Sequence, residues 1–257
     1  MNWLLRLLGI AKDKSKKIIT DVIMKPAVVV KKPIIVEPTP VIEANPFTIE
    51  NDLLYKDGKK VTTNTSPHVS KGSNICDFII IHYTGSHGDY NSSINWSKDP
   101  KSKVSWHLTV SRDGEIKQNS KGLRSILWHA GKSTWYSAIS GKNYSNLNSL
   151  SIGIELANSG KLTWHNTKQK YLNYYKHEFE AEDVFVDKNG QAWEKYGLDQ
   201  IKTAKHAAFA LAKRYSCVAI LGHEDIAPGR KTDPGPAFPL GAIQKELKSQ
   251  EWYKFNK

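Results

Sequence analysis

From about residue 47 onward, short apolar runs alternate with polar, glycine-bearing breaks. Phe78-Ile79-Ile80-Ile81 is a compact run rich in β-branched residues and predicts a buried strand. Trp106 to Ser111 alternates and leads into Arg112-Asp113-Gly114-Glu115. Asp-Gly between two extended runs predicts a hairpin, because glycine accepts a positive φ. Ser151-Ile152-Gly153-Ile154-Glu155-Leu156 predicts another strand, and Val218-Ala219-Ile220-Leu221 a further buried one. Ile201, Ala204, Ala208, Leu211 and Tyr215 recur at helical spacing and predict a helix over about 199–216. Ile243 and Leu247 predict a closing helix. This order predicts an α/β fold with a mixed central β-sheet flanked by helices. Residues 160–198 are aromatic and charged without a clear period. Trp164, Tyr171, Tyr174, Tyr175 and Trp193 there either extend a substrate groove or form a small satellite core, and the second is favoured.

Residues 1–46 follow a different pattern. Trp3, Leu4, Leu7, Leu8 and Ala11 have helical spacing and predict a short amphipathic N-terminal helix, with Ile18, Ile19, Val22 and Ile23 as its continuation. Pro26, Pro33, Pro38, Pro40 and Pro46 follow, a density that forbids helix and predicts an extended Pro-rich linker over 25–46. The division is therefore 1–46, an N-terminal segment and linker, and 47–257, one globular domain. Residues 1–24 either anchor the chain to a membrane surface or an assembly, or are a frayed end. No apolar run approaches the ~18 residues of a spanning helix. The apolar stretch at the start lacks a basic region ahead of it and a small-residue cleavage site after it, so a cleavable signal peptide is not expected.

Composition narrows the classes. With 39% hydrophobic and 24% charged residues in 257, the chain has material for a core, and disorder throughout is excluded. Cys76 and Cys217 are too few for a disulfide framework and read first as small buried hydrophobes, with a single bridge as the alternative. A formal charge of +12 favours polyanionic partners: nucleic acid, acidic lipid or wall polymers. The charge is spread along the chain, and no helix-turn-helix, RNP or finger pattern accompanies it, so no nucleic-acid partner is expected.

Three predicted strands end in ionisable groups: His82, Glu155 and, after Gly222, His223. Buried strands ordinarily end in turn residues, so several such ends point to a site along one edge of the sheet. After His223 comes a proline- and glycine-rich loop, Glu224 to Pro236, with little freedom. Pro234 biases Asp233 toward an extended backbone, in which Lys231 and Asp233 share a face. Two imidazoles and a carboxylate suit Zn²⁺, and three protein ligands leave a fourth position for water, the catalytic pattern. One zinc per chain is expected, on His82, His223 and Asp233. Glu155, outside the ligand set, could take a proton from water, and Lys231 could stabilise an oxyanion. The His-Glu-x-x-His pattern is absent.

Several stretches together resemble the zinc-dependent N-acetylmuramoyl-L-alanine amidases of the type 2 family, whose fold is shared by peptidoglycan recognition proteins and phage amidase endolysins. They are Ile80-Ile81-His82-Tyr83-Thr84, Ser105-Trp106-His107-Leu108, Trp128-His129-Ala130-Gly131, the Glu155 strand, and Gly222 through Pro236. The resemblance covers about 75–240. It implies zinc on His82, His223 and Asp233, a catalytic Glu155, and a Lys231 that stabilises the transition state. The implied reaction is hydrolysis of the amide between N-acetylmuramic acid and the L-alanine of the stem peptide, on peptidoglycan or muropeptides. Trp128 and His129 are candidate substrate-binding residues, and His107 reads as structural or as supporting a ligand. Trp106 stands where some phage members carry a functional Tyr, so that role does not transfer. The alternative function is a non-catalytic peptidoglycan-binding module, whose usual sign, loss of a zinc ligand, is missing. The expected place of action is the bacterial cell wall, in the periplasm or on the outer face, with phage-encoded synthesis in a host cytoplasm as one origin.

Overall fold

The computed structural model describes residues 44–88, 90–138 and 140–253. The helix and most of the linker expected before residue 44 lie outside the described residues, and the first described strand begins at Phe47. The centre is a five-stranded sheet. We label its strands β1 (Phe78–Tyr83), β2 (Leu108–Val110), β3 (Ile116–Gln118), β4 (Ser151–Leu156) and β5 (Ala219–Gly222). Their order across the sheet is β5-β1-β4-β2-β3. The β5-β1, β1-β4 and β4-β2 pairs are parallel, and β2-β3 is antiparallel. The mixed sheet and the Asp113-Gly114 hairpin follow the sequence pattern. Gly114 has φ +82° in that turn, and Ser111 N–H donates to the Glu115 carbonyl across it.

Period two decides what each face of the sheet does. In β1, Ile79 and Ile81 join Ile152, Ile154 and Leu156 of β4 in the main core. Against that face packs the helix Leu198–Tyr215, through Ala204, Ala207, Ala208 and Leu211. Alanine favours helix and lets the helix approach the sheet closely. Each fully buried Ile or Leu contributes roughly 1.5–3 kcal/mol, so this layer carries the fold without a disulfide. Cys76 and Cys217 are buried thiols, the Cys217 Sγ–H donating to the Cys76 carbonyl at 3.0 Å. A later helix, Leu240–Ser249, adds Ile243 and Leu247, four residues apart, to the same core.

The opposite face is where the strands present chemistry. Phe78 and Ile80 pack there with Leu147, Leu221 and Ile226, and His82 is next in that row. Ser151, Gly153 and Glu155 of β4 share the face, since their neighbours Ile152, Ile154 and Leu156 point to the helix. The parallel register sets Glu155 opposite His82 and Gly222 opposite Ile81. His82, Glu155 and His223 therefore gather at the carboxyl edge of three adjacent strands.

Residues 161–194, aperiodic in sequence, fold as a second, antiparallel sheet of five short strands. Its small core is Leu162, Phe179, Val184 and Ala192, with Tyr171 packed against it. The other aromatics named from the sequence behave differently. Trp164, Tyr174 and Tyr175 are exposed, and Trp193 is buried. Buried Glu194 ties this sheet to the rest, accepting from Ser159 N–H, His87 Nδ1 and Arg112. Among the described residues, no helix is long and apolar enough to cross a membrane.

Candidate active site

His82 Nδ1, His223 Nδ1 and Asp233 Oδ2 lie 2.9–3.0 Å from one another, and all three residues are buried. Residues separated by as many as 151 positions in sequence thus present a ligand atom each to a single point. His223 comes from the turn after β5. Gly222 leaves room for the returning loop, because a Cβ there would meet Pro234 Cδ at 2.8 Å. The loop folds back through Glu224 N–H donating to the Asp233 carbonyl at 2.9 Å, which brings the aspartate beside His223.

Main-chain carbonyls set the tautomers. His129 Nε2–H donates to the Ser151 carbonyl at 3.3 Å, leaving His129 Nδ1 to accept from His82 Nε2–H at 3.0 Å. His82 Nδ1 then carries a lone pair toward the centre. His223 Nε2–H donates to the Ala130 carbonyl at 3.3 Å and leaves its Nδ1 in the same condition. These assignments follow from the acceptors available to each ring. Two imidazole lone pairs and a carboxylate oxygen converge, an arrangement that repels itself unless a cation stands among them. Buried donors of this type and number fit a catalytic zinc.

The electrostatics agree. Burial pulls the His82 imidazole down to about 4, against the opposing pull of Asp233, and keeps it neutral as a ligand must be. Burial pushes the Asp233 carboxyl up, and hydrogen bonds from His223 and His82 would hold it below the usual carboxylate range; with both Nδ1 atoms bearing lone pairs, that stabilisation falls to a cation. Burial also draws His129 well below its ordinary value, with the neighbouring His82 adding to the effect.

Glu155 is half-buried as a residue, yet its Oε2 is shut off from solvent and meets no hydrogen-bond partner among the described residues. Burial raises its pKa well above the ordinary range, the Asp233 carboxylate raises it further, and Lys231 opposes both. Lys231 is exposed and lines the same cleft as Glu155 and the three donors, a hollow of about 360 Å³. Trp128 also lines it. His129 does so while turned onto His82. His107 lies deeper and is wholly buried. Its Nδ1 accepts from Gly153 N–H at 3.0 Å and its Nε2 donates to the Ser125 carbonyl at 2.9 Å.

Sequence reasoning missed three features. Arg230 donates from Nη2 to the carbonyls of Ala130 and Lys132, at 2.9 and 2.8 Å, which fixes the loop that orients His223. Its place beside Lys231 was the available signal. Tyr83 and Thr232 share a hydroxyl–hydroxyl bond of 3.0 Å on the cleft wall. Gly153 leaves room for the His129 ring, which a Cβ would meet at 2.7 Å. Replacing it with alanine is expected to cost about 1–3 kcal/mol by overpacking, read from the urea midpoint. Removing the ring instead, with His129→Ala, is expected to weaken zinc affinity roughly 10–100-fold, measured by chelator competition.

A mixed α/β sheet that gathers three buried donors able to hold a metal ion, with a carboxylate beside them, fits the class of metal-dependent hydrolases. The family follows from the sequence: a family model described as N-acetylmuramoyl-L-alanine amidase matches residues 71–236, well over half of the chain. The chain belongs to the N-acetylmuramoyl-L-alanine amidase family, and its activity is that of an amidase acting on peptidoglycan. Among solved structures, a selenomethionine derivative of AmpD shares the fold, with 24% identity over 77% of this chain and 98% of that one and a TM-score of 0.52. AmiD from E. coli, solved with the substrate anhydro-N-acetylmuramic acid-L-Ala-D-gamma-Glu-L-Lys, is 23% identical over 80% of this chain and 66% of that one, with a TM-score of 0.49. The endolysin amidase LysCS from Clostridium intestinale is 14% identical over 74% and 97%, with a TM-score of 0.46. No curated protein matches the chain.

Proposed function

We propose that the chain cleaves the amide between the lactyl group of N-acetylmuramic acid and the L-alanine of the stem peptide, with zinc held by His82, His223 and Asp233. The observation that carries this reading is the convergence of three acceptor atoms at 2.9–3.0 Å beside the unpartnered Glu155 Oε2. When bound, zinc supplies Lewis acidity toward water and the scissile carbonyl.

The side chains supply the rest. Glu155 Oε2 takes the proton from the attacking water and passes it to the leaving nitrogen. Lys231 faces the oxygen on which negative charge develops and stabilises it. The new bond joins water oxygen to the carbonyl carbon, and the C–N bond breaks. The products are a lactyl carboxylate on the sugar and a free alanine amine on the peptide. Trp128 and the His129 wall hold the muramyl peptide over these groups. Residues 47–257 are the catalytic domain in this reading, and 1–46 serve location, at a membrane surface or within an assembly. The place of action is the bacterial cell wall.

Mass spectrometry of muropeptides incubated with the zinc-loaded chain tests the reaction. Free stem peptide and peptide-free muramyl sugar are the expected products, and a chelator abolishes both. Cleavage within the glycan or within the peptide would overturn the reading.

A further inference from the structure

Of the three metal donors, Asp233 comes from a loop with no regular structure, and its neighbours show what holds that loop in place. Each of four consecutive residues, Thr232 to Gly235, rests on a group outside the segment. The Thr232 hydroxyl bonds Tyr83 Oη at 3.0 Å, and the Asp233 carbonyl accepts from Glu224 N–H at 2.9 Å. The Pro234 carbonyl accepts from Tyr196 Oη at 2.8 Å, a buried bond between residues 38 positions apart. Gly235 lies so close against the Trp193 indole that a Cβ there would stand 2.5 Å from its Cζ3.

The last two contacts come from the second sheet and the chain leaving it. Trp193 sits on the strand Ala192–Glu194, and Tyr196 follows that strand. Both side chains are buried and pinned. The Trp193 indole N–H donates to Asp187 Oδ2 at 3.0 Å, and Lys161 Nζ stands 5.3 Å from the ring centroid. Asp187 is fixed in its hairpin turn, where its Oδ1 accepts from the N–H groups of Asn189 and Gln191 at 2.9 and 3.0 Å. The Tyr196 ring meets Phe238 edge to face at 5.1 Å. A metal donor works only when its supporting residues hold it within about 0.5 Å of the productive geometry. Here the support of one donor passes through the backbone beside it to two aromatic side chains.

We infer that the second sheet is a brace for the metal site, and that Trp193 and Tyr196 are its positioning residues. They hold the Pro234–Gly235 backbone so that the Asp233 carboxylate meets the His82 and His223 nitrogens. The inference rests on the reading of zinc at those three donors. It gives a task to a segment that supplies no donor of its own, and it makes zinc affinity depend on side chains outside the donor set.

Zinc affinity of the full chain tests it, measured by competition with a chromogenic chelator at a temperature where calorimetry shows each variant folded. Tyr196→Phe keeps the ring and removes only the hydroxyl. Trp193→Ala removes the surface under Gly235. Each is expected to weaken zinc binding about 10-fold or more, the range for groups that support a ligand. Leu247→Ala is the control. It truncates the main core on the closing helix, outside the loop and the second sheet. It is expected to lower Tm and to leave zinc affinity within about twofold of the parent, because no support of a ligand is lost. Parent-like affinity in either folded variant overturns the brace. So does an equal loss in Leu247→Ala, since affinity would then follow global stability. Should Trp193→Ala fail to fold, Tyr196→Phe decides alone. A parent chain that binds no zinc removes the metal reading and the brace together. A parent that binds zinc, beside a Tyr196→Phe variant that binds it equally, removes the brace alone.

Discussion

Glu155→Gln is expected to lower turnover of muropeptide by roughly 10²–10⁴-fold, the usual worth of a positioned acid–base group, while zinc content and melting temperature stay close to those of the parent. The glutamine keeps the size of the side chain but has no basic oxygen to accept a proton. The site around it is insensitive to the exchange in packing terms, because Glu155 Oε2 has no hydrogen-bond partner to lose among the described residues. Stem-peptide release quantified by mass spectrometry, with zinc measured on the same samples, separates the two effects. Turnover within about threefold of the parent would remove Glu155 from the mechanism. A parallel loss of zinc would recast it as a residue that shapes the metal centre.

Zinc removal is expected to act on stability as well as on rate. In the metal-free chain the two Nδ1 lone pairs and the Asp233 oxygen face one another at 2.9–3.0 Å. A cation relieves that repulsion only in the folded state. At a zinc concentration about 1,000 times the dissociation constant, linkage gives about 4 kcal/mol. For a domain of this size each kcal/mol moves Tm by about 2–4 °C, so addition of zinc is expected to raise Tm by on the order of 10 °C. Asp233→Asn keeps the shape but loses the charge, and should lose most of the zinc-dependent rise together with turnover. A zinc-independent Tm, measured by calorimetry with and without chelator, would show that the three residues are held together by hydrogen bonds instead.

The legibility of the chain differed between its parts for physical reasons. The central strands were readable because they are buried on both faces, and continuous runs such as Phe78–Ile81 leave little choice of structure. The site was readable because the same strands end in groups that burial alone does not explain. The second sheet was not readable. Its strands are two to five residues long, and its core is four side chains. Short strands with a largely solvated surface leave almost no period in sequence. His129 could be placed near the cleft from its tryptophan and glycine neighbours, but its bond to His82 depends on a pairing across 47 residues that no local pattern encodes. Gly153 reads as a small residue in a strand; only the packed structure gives its reason.

Both rings of the candidate metal site are oriented, directly or through His129, by carbonyls of the polypeptide backbone at Ser151 and Ala130. Side chains can be exchanged over generations, whereas a peptide oxygen moves only if the chain path moves. The placement of the donor atoms is thereby insulated from drift in the surrounding sequence, and the walls of the cleft are free to diversify while the candidate metal site stays where the sheet puts it.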